Sequence, residues 1–232
     1  MKLHVDTVTT SYLKNISFEM ENENVVILGS NGAGKTTLSK IIVGLEENTN
    51  VYYEGEKISS LGAKRRCEIV NFVPSKLEVF DDYLDVEEFL QLSLLNGSTL
   101  CEMDTILKQL EIEHLKSSPC KCISSGESQL VLFASGLLHN AELTIFDEPT
   151  ANLDSDKKIK VYEALKKYAG WKIVITHDLN IAYKLGYRVI YLEHGKLIFD
   201  GSSDAFFTAA NLERLFGNSI KRLEDYFMVN YR

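Results

Sequence analysis

No uninterrupted apolar stretch among the 232 residues approaches the roughly 20 needed to cross a bilayer as a helix. The start, Met1-Lys2-Leu3-His4-Val5-Asp6, has no apolar run of signal-peptide length. A soluble, cytosolic chain is the expectation. Positive charge is not in excess either: 33 Asp and Glu against 25 Lys and Arg leave a formal net charge of -8, which argues against a general nucleic-acid binder. Cysteine is sparse and its spacing unpaired. Cys67, Cys101, Cys120 and Cys122 form no C-x-x-C array, and Cys120-Lys121-Cys122 is too tight for the usual zinc spacing, so reduced thiols are expected. Repeats, low-complexity tracts and long Pro/Ser linkers are also missing. With 45% hydrophobic content, the chain can build one large core, or one core carrying a smaller lobe.

What the chain does have is a strand-type run, Val25-Val26-Ile27-Leu28, that enters Gly29-Ser30-Asn31-Gly32-Ala33-Gly34-Lys35-Thr36-Thr37. Gly29, Gly34, Lys35 and Thr36 fit the pattern G-x-x-x-x-G-K-[ST]. Its glycines let backbone N–H groups converge on phosphate oxygens while the lysine reaches the terminal phosphates. Residues 29–37 are therefore candidate phosphate ligands, and Thr36 a candidate Mg²⁺ ligand. Leu38, Ile41, Ile42 and Leu45 follow at helical spacing with Gly44 as a stop, so a helix N-terminus adds partial positive charge to the cradle.

Alternation in residues 2–28, as in Ile16-Ser17-Phe18-Glu19-Met20, predicts two or three short strands ahead of this loop. Tyr12 lies among them, where it can either stack on a purine base or simply pack. Strands are expected at Val51–Tyr53, with a turn at Glu54-Gly55, and at Glu68–Val73, stopped by Pro74. From about Leu77 to Cys122 the spacing turns helical, with a loop at Asn96–Thr99. Strands return at 143–146, 172–176 and 187–192, each beside a helical segment. That pattern predicts an α/β core with a mostly parallel sheet.

The strand Leu143–Phe146 ends in Asp147-Glu148, two carboxylates where open α/β sheets bind ligands. Asp147 suits a magnesium shell, and Glu148 the water that attacks a γ-phosphate. Ahead of that strand, Ile123-Ser124-Ser125-Gly126-Glu127-Ser128-Gln129 opens an apolar helix. Together these motifs resemble the ATP-binding cassette (ABC) ATPases, whose signature is Leu-Ser-Gly-Gly-Gln. Ser124 and Gly126 are kept; Ile123, Ser125 and Glu127 replace the other three. Ala151-Asn152-Leu153-Asp154 is similar to the family's D-loop and His177 to its switch histidine, so the resemblance spans nearly the whole chain.

The resemblance implies a P-loop ATPase core with N-terminal antiparallel strands and an inserted helical subdomain. It divides the chain into core (1–76), helical subdomain ending in the signature helix (77–136) and core again (137–232). It also implies a Mg²⁺-dependent ATPase whose subunits pair head to tail, as a homodimer or with a related ABC subunit. ATP on one phosphate loop is then covered by Ser124–Glu127 of the other subunit, and Asp154 is a further nucleotide-binding residue. Glu148 is the expected base, His177 the γ-phosphate sensor, Lys35 the phosphate cation, and Thr36, Asp147 and Ser75 the metal shell. Ser75 stands where the family has a glutamine that touches Mg²⁺ and the membrane partner. Leu130 replaces a usual arginine, and the loop before Leu13 is short. The expected role is to power a transmembrane permease, as an importer, from the inner face of the membrane. The segments 176–182 and 207–217 are similar to the subgroup serving iron chelate, haem and cobalamin uptake. The competing reading is a stand-alone ABC ATPase in cofactor assembly or scaffolding. A chromosome-maintenance ATPase would need a coiled coil longer than the central insertion, and a metabolic kinase would leave Ser124–Glu127 and His177 unexplained.

Overall fold

A computed structural model describes residues 1–46, 50–78 and 81–230. Residues 79–80, inside the expected helical stretch from Leu77, and 47–49 and 231–232, inside the two core parts, lie outside the described residues. The N-terminal alternation forms β1 (Lys2–Val8), β2 (Ile16–Glu21) and β3 (Val25–Gly29), and the glycine-rich turn leads into α1 (Lys35–Ile42). Then come β4 (Val51–Tyr53), β5 (Glu56–Lys57), α2 (Ala63–Ile69) and β6 (Val70–Val73). The helical stretch supplies α3 (Val86–Gln91), α4 (Leu100–Gln109) and α5 (Ser125–His139). Strands and helices then alternate as β7 (Leu143–Asp147), α6 (Ser155–Lys167), β8 (Trp171–Thr176), α7 (Leu179–Leu185), β9 (Arg188–Glu193) and β10 (Lys196–Gly201). The chain closes with α8 (Ser203–Phe206), α9 (Ala209–Phe216) and a hairpin of β11 (Ile220–Leu223) and β12 (Tyr226–Val229).

The main sheet has the order β10-β9-β3-β8-β7-β6, parallel except for β10, which runs back along β9. A smaller antiparallel sheet, β2-β1-β4-β5, covers one of its faces. Side-chain alternation sorts the core into two layers. Val25, Ile27, Leu143, Ile145, Ile173 and Ile175 point toward the small sheet and α1. Val26, Leu28, Phe146, Val174 and Val189 point toward α3, α4 and α5. Strand β3 is buried along its whole length, as a central parallel strand must be, and this fixes where its C-terminal turn emerges.

Two local readings shift and one is sharpened. The segment at 68–69 is helical, because α2 runs through Ile69 and the strand begins only where Val70 pairs with Leu143. An Arg65–Glu68 ion pair supports that last turn, and the Glu68 carbonyl accepts the Glu142 N–H at 3.0 Å. Leu45, expected on the buried face of α1, lies past the helix and is 63% exposed, whereas Leu38, Ile41 and Ile42 are fully buried, each worth roughly 1.5–3 kcal/mol. The loop at 96–99 ends as an N-cap: Thr99 and Glu102 form a reciprocal capping box for α4, a device that satisfies two otherwise unpaired donors. The strand β10, the final hairpin and α8 carry weak local patterns and were not expected.

Candidate functional site

The phosphate turn is held from within. Gly34 caps α1 with φ 99°, a left-handed geometry that favours glycine. Lys35 is 7% exposed, and its Nζ donates to the carbonyls of Gly29 at 2.8 Å and Ser30 at 3.1 Å. Burial pushes its pKa down, partly offset by the nearby charges of Glu148 and Asp147. The ammonium is thus stored on its own loop, facing neutral carbonyls that a phosphate oxygen can outcompete.

Thr36 and Asp147 meet although 111 residues separate them: Thr36 Oγ1 donates to Asp147 Oδ2 at 2.7 Å. Asp147, at the end of β7, is 2% exposed. Burial raises its pKa, the Thr36 hydrogen bond opposes that rise, and Glu148 adds to it. A hydroxyl and a carboxylate oxygen side by side at the foot of a phosphate loop are the hard donors Mg²⁺ takes when it keeps several waters and substrate phosphates as its other ligands. The residues present therefore fit that ion.

Glu148 sits in a left-handed conformation, φ 51°, which aims it away from the line of β7. Three bonds hold that backbone: its N–H donates to the Ile175 carbonyl, and its own carbonyl accepts from Ala151 N–H and from Gln129 Nε2 at 3.2 Å. Glu148 Oε1 lies 2.9 Å from Nδ1 of His177, which follows directly on β8. Gln129, 3% exposed on α5, is a residue of the site to which the motifs assign no role. It ties the signature helix to the carboxylate turn, and a buried amide on an otherwise apolar helix face was the signal for it.

These groups line two adjoining clefts. One, of about 440 Å³, takes in Tyr12, residues 31–37, Ser75, Asp147 and Glu148. The other, of about 460 Å³, takes in Asn31, Ser75, Ser125, Gln129, Glu148, Asn152 and His177. Ser124, Gly126, Glu127 and Asp154 lie outside the lining of both. Ser124 caps α5: its hydroxyl donates to Glu127 Oε2 at 2.6 Å, and Glu127 N–H returns a bond at 3.4 Å. The Ser124 hydroxyl and the Ser124 backbone N–H, which donates to Glu127 Oε2 at 2.8 Å, hold the Glu127 carboxyl below its ordinary pKa. Asp154 caps α6 by accepting from Lys157 N–H at 3.0 Å. Leu130 is fully buried, which suits the leucine found there. The four cysteines are free thiols, three exposed and Cys120 buried. Among the described residues, no helix is long and apolar enough to cross a membrane.

A phosphate loop, a Thr36–Asp147 pair, a carboxylate–histidine pair and a serine-capped helix on this sheet order are the parts of one known engine. The model of the ABC transporter family matches residues 13–151. This chain belongs to the ABC transporter family. It is similar to the molybdate/tungstate import ATP-binding protein WtpC of Methanocaldococcus jannaschii, at 34% identity over 82% of this chain and 65% of the relative. The chain thus spans just under two thirds of that relative's length. The zinc import ATP-binding protein ZnuC of Hydrogenovibrio crunogenus is 30% identical over 92% of this chain and 85% of its own length. An ATP-binding cassette solved as a dimer in a post-hydrolysis state, bound to ADP and phosphate, superposes with a TM-score of 0.76. It is 27% identical and covers 87% of this chain and 98% of its own. The fold is that of the ABC cassette ATPases, and the family's chemistry is the Mg²⁺-dependent hydrolysis of ATP.

Proposed function

We propose that this chain is the ATP-hydrolysing subunit of an importer, working as a head-to-tail pair on a transmembrane permease at the inner face of the membrane. The observation that carries the reading is the pairing of two preformed contacts at one strand edge: Thr36 with Asp147, and Glu148 with His177. Lys35, released from the Gly29 and Ser30 carbonyls, binds the terminal phosphates. Thr36 and Asp147, with Ser75 beside them, would hold Mg²⁺, which when bound neutralises charge on those phosphates. Glu148 takes the proton of the attacking water on the carboxylate oxygen that His177 leaves unbound, and His177 fixes the carboxylate's orientation. Tyr12, at the mouth of the first cleft, stacks on the base.

Ser124, Gly126, Glu127 and Asp154 are assigned to the partner's nucleotide, since they lie outside the lining of their own clefts and the first three stand at the N-terminal end of α5, an end that favours anions. Residues 77–136 are assigned to the helical lobe between the two parts of the ATPase core. Import is the role that the names of the two relatives carry. The segments resembling the chelate, haem and cobalamin subgroup each do local work here: Asp178 caps α7 and Thr208 caps α9. They do not carry the choice of solute.

The test is phosphate release with MgATP by wild type and Lys35→Ala, together with affinity capture of the chain from membranes solubilised in detergent. Loss of hydrolysis in the variant and capture of an integral membrane protein are expected. Capture of soluble partners alone would replace the importer with a stand-alone ABC ATPase.

A further inference from the structure

Tyr12 is 70% exposed, yet its backbone is fixed from three sides. Within the loop, the Thr10 hydroxyl accepts the N–H groups of Tyr12 at 3.1 Å and Leu13 at 2.9 Å, while Thr10 N–H donates to the Leu13 carbonyl at 2.9 Å. On one flank Leu13 is fully buried against the phosphate loop: a Cβ added to Gly34 would stand 2.5 Å from Leu13 Cδ2. On the other flank is the turn between β9 and β10. Lys14 N–H donates to the Gly195 carbonyl at 2.8 Å, and a Cβ on Gly195 would stand 1.8 Å from the Tyr12 carbonyl oxygen. With φ 75° at Gly195, only glycine serves both the turn and this approach.

The turn is itself anchored to the strand that carries the phosphate loop. β9 pairs in parallel with β3, Leu192 opposite Gly29, so the phosphate loop and the turn leave adjacent strands at the same level. Arg188 locks the base of the hairpin by donating to both Asp200 oxygens at 2.6 Å and to Glu23 at 2.6 Å. The exposed aromatic ring is thus mounted on a rigid bridge between two neighbouring strand ends. A ring held this way stacks on a flat ligand without paying to order its loop.

We infer that Gly195 is a positioning residue for the nucleotide base: the Gly195 turn and Leu13 together set the distance between the Tyr12 ring and the phosphate loop. The inference rests on the reading of Tyr12 as the base-stacking residue. Under it, Gly195 governs the part of ATP affinity that comes from adenine and leaves the part that comes from the phosphates.

The test compares calorimetric binding of MgATP and of magnesium tripolyphosphate, which has no base, to wild type, Tyr12→Ala, Gly195→Ala, Thr10→Val and the double variant Tyr12→Ala/Gly195→Ala. Stacking losses predict that Tyr12→Ala and Gly195→Ala each weaken MgATP about fivefold or more while tripolyphosphate changes by less than about twofold. The double variant should bind MgATP no more weakly than Tyr12→Ala alone. If Gly195→Ala does not fold, Thr10→Val carries the test, with an expected loss of about threefold for MgATP only. If Tyr12→Ala binds MgATP as wild type does, the base-stacking reading fails. If Tyr12→Ala weakens MgATP but Gly195→Ala and Thr10→Val do not, or weaken both ligands equally, the positioning role is overturned and the Tyr12 reading stands.

Discussion

Replacing Glu148 by glutamine separates catalysis from architecture more cleanly here than the sequence alone suggests. Among the described residues the side chain makes one hydrogen bond, Oε1 with His177 Nδ1 at 2.9 Å, and the glutamine amide can keep it. The backbone bonds to Ile175, Ala151 and Gln129 do not involve the side chain. Melting should therefore shift by no more than surface substitutions do, within about 0.5 kcal/mol. What is lost is the proton acceptor, and removal of a general base costs on the order of 10²- to 10⁴-fold, roughly 2.7–5.5 kcal/mol of barrier. The left-handed φ of 51° supplies a control. Glu148→Gly should be as inactive as the glutamine variant and equal or greater in stability, because glycine relieves a strain of about 1 kcal/mol. The assays are phosphate release at saturating MgATP, thermal melting, and gel filtration with MgATP, where Glu148→Gln should accumulate as a closed dimer. A glutamine variant that keeps more than a tenth of the wild-type rate, or that stays monomeric with ATP, would refute the assignment of Glu148 as base in a composite site.

If Ser124 acts on the partner's nucleotide, mixing Ser124→Arg with Lys35→Ala subunits should concentrate both lesions in one site and recover activity in the other. Heterodimers no faster than either variant alone would exclude the exchange. Ser75, exposed at the edge of both clefts, is shorter than the glutamine the family places there and reaches a metal through a water more readily than directly. Ser75→Ala should be mild, and Ser75→Gln should need no more Mg²⁺ than wild type; a hundredfold fall in the alanine variant, about 2.7 kcal/mol, would make Ser75 a direct ligand. Lys172 is buried against Tyr168 and Tyr187, and burial brings its pKa from 10.5 to about 8. Between those values the unfolded chain binds the proton that the folded chain has lost, so stability rises with pH there, by on the order of 2 kcal/mol between pH 8 and 10. Tyr187, pushed up to about 12 by burial, opposes this only above pH 10. Urea melts of Lys172→Met should lack the rise, and an identical rise in the variant would contradict the assignment.

The sequence by itself determined what is settled within a turn or two of chain. The glycines, Lys35 and Thr36 lie inside one strand-turn-helix unit, so their spacing already dictates a phosphate cradle, and Ser124 with Glu127 three residues on already dictates a capped helix start. The strands β3, β7 and β8 were legible as short apolar runs, because parallel strands buried on both sides are nearly continuous apolar runs, but such runs do not say which side chain takes which face. Even within this range the strand expected from Glu68 began two residues too early, since Glu68-Ile69-Val70 reads equally as strand until Leu143 is available to pair with Val70. The tertiary structure decided which motifs meet. That Asp147 faces Thr36, that His177 orients Glu148, and that the Gly195 turn carries Tyr12 all follow from the strand order β9-β3-β8-β7. That order is fixed by pairing between segments far apart in the chain, and no local spacing encodes it.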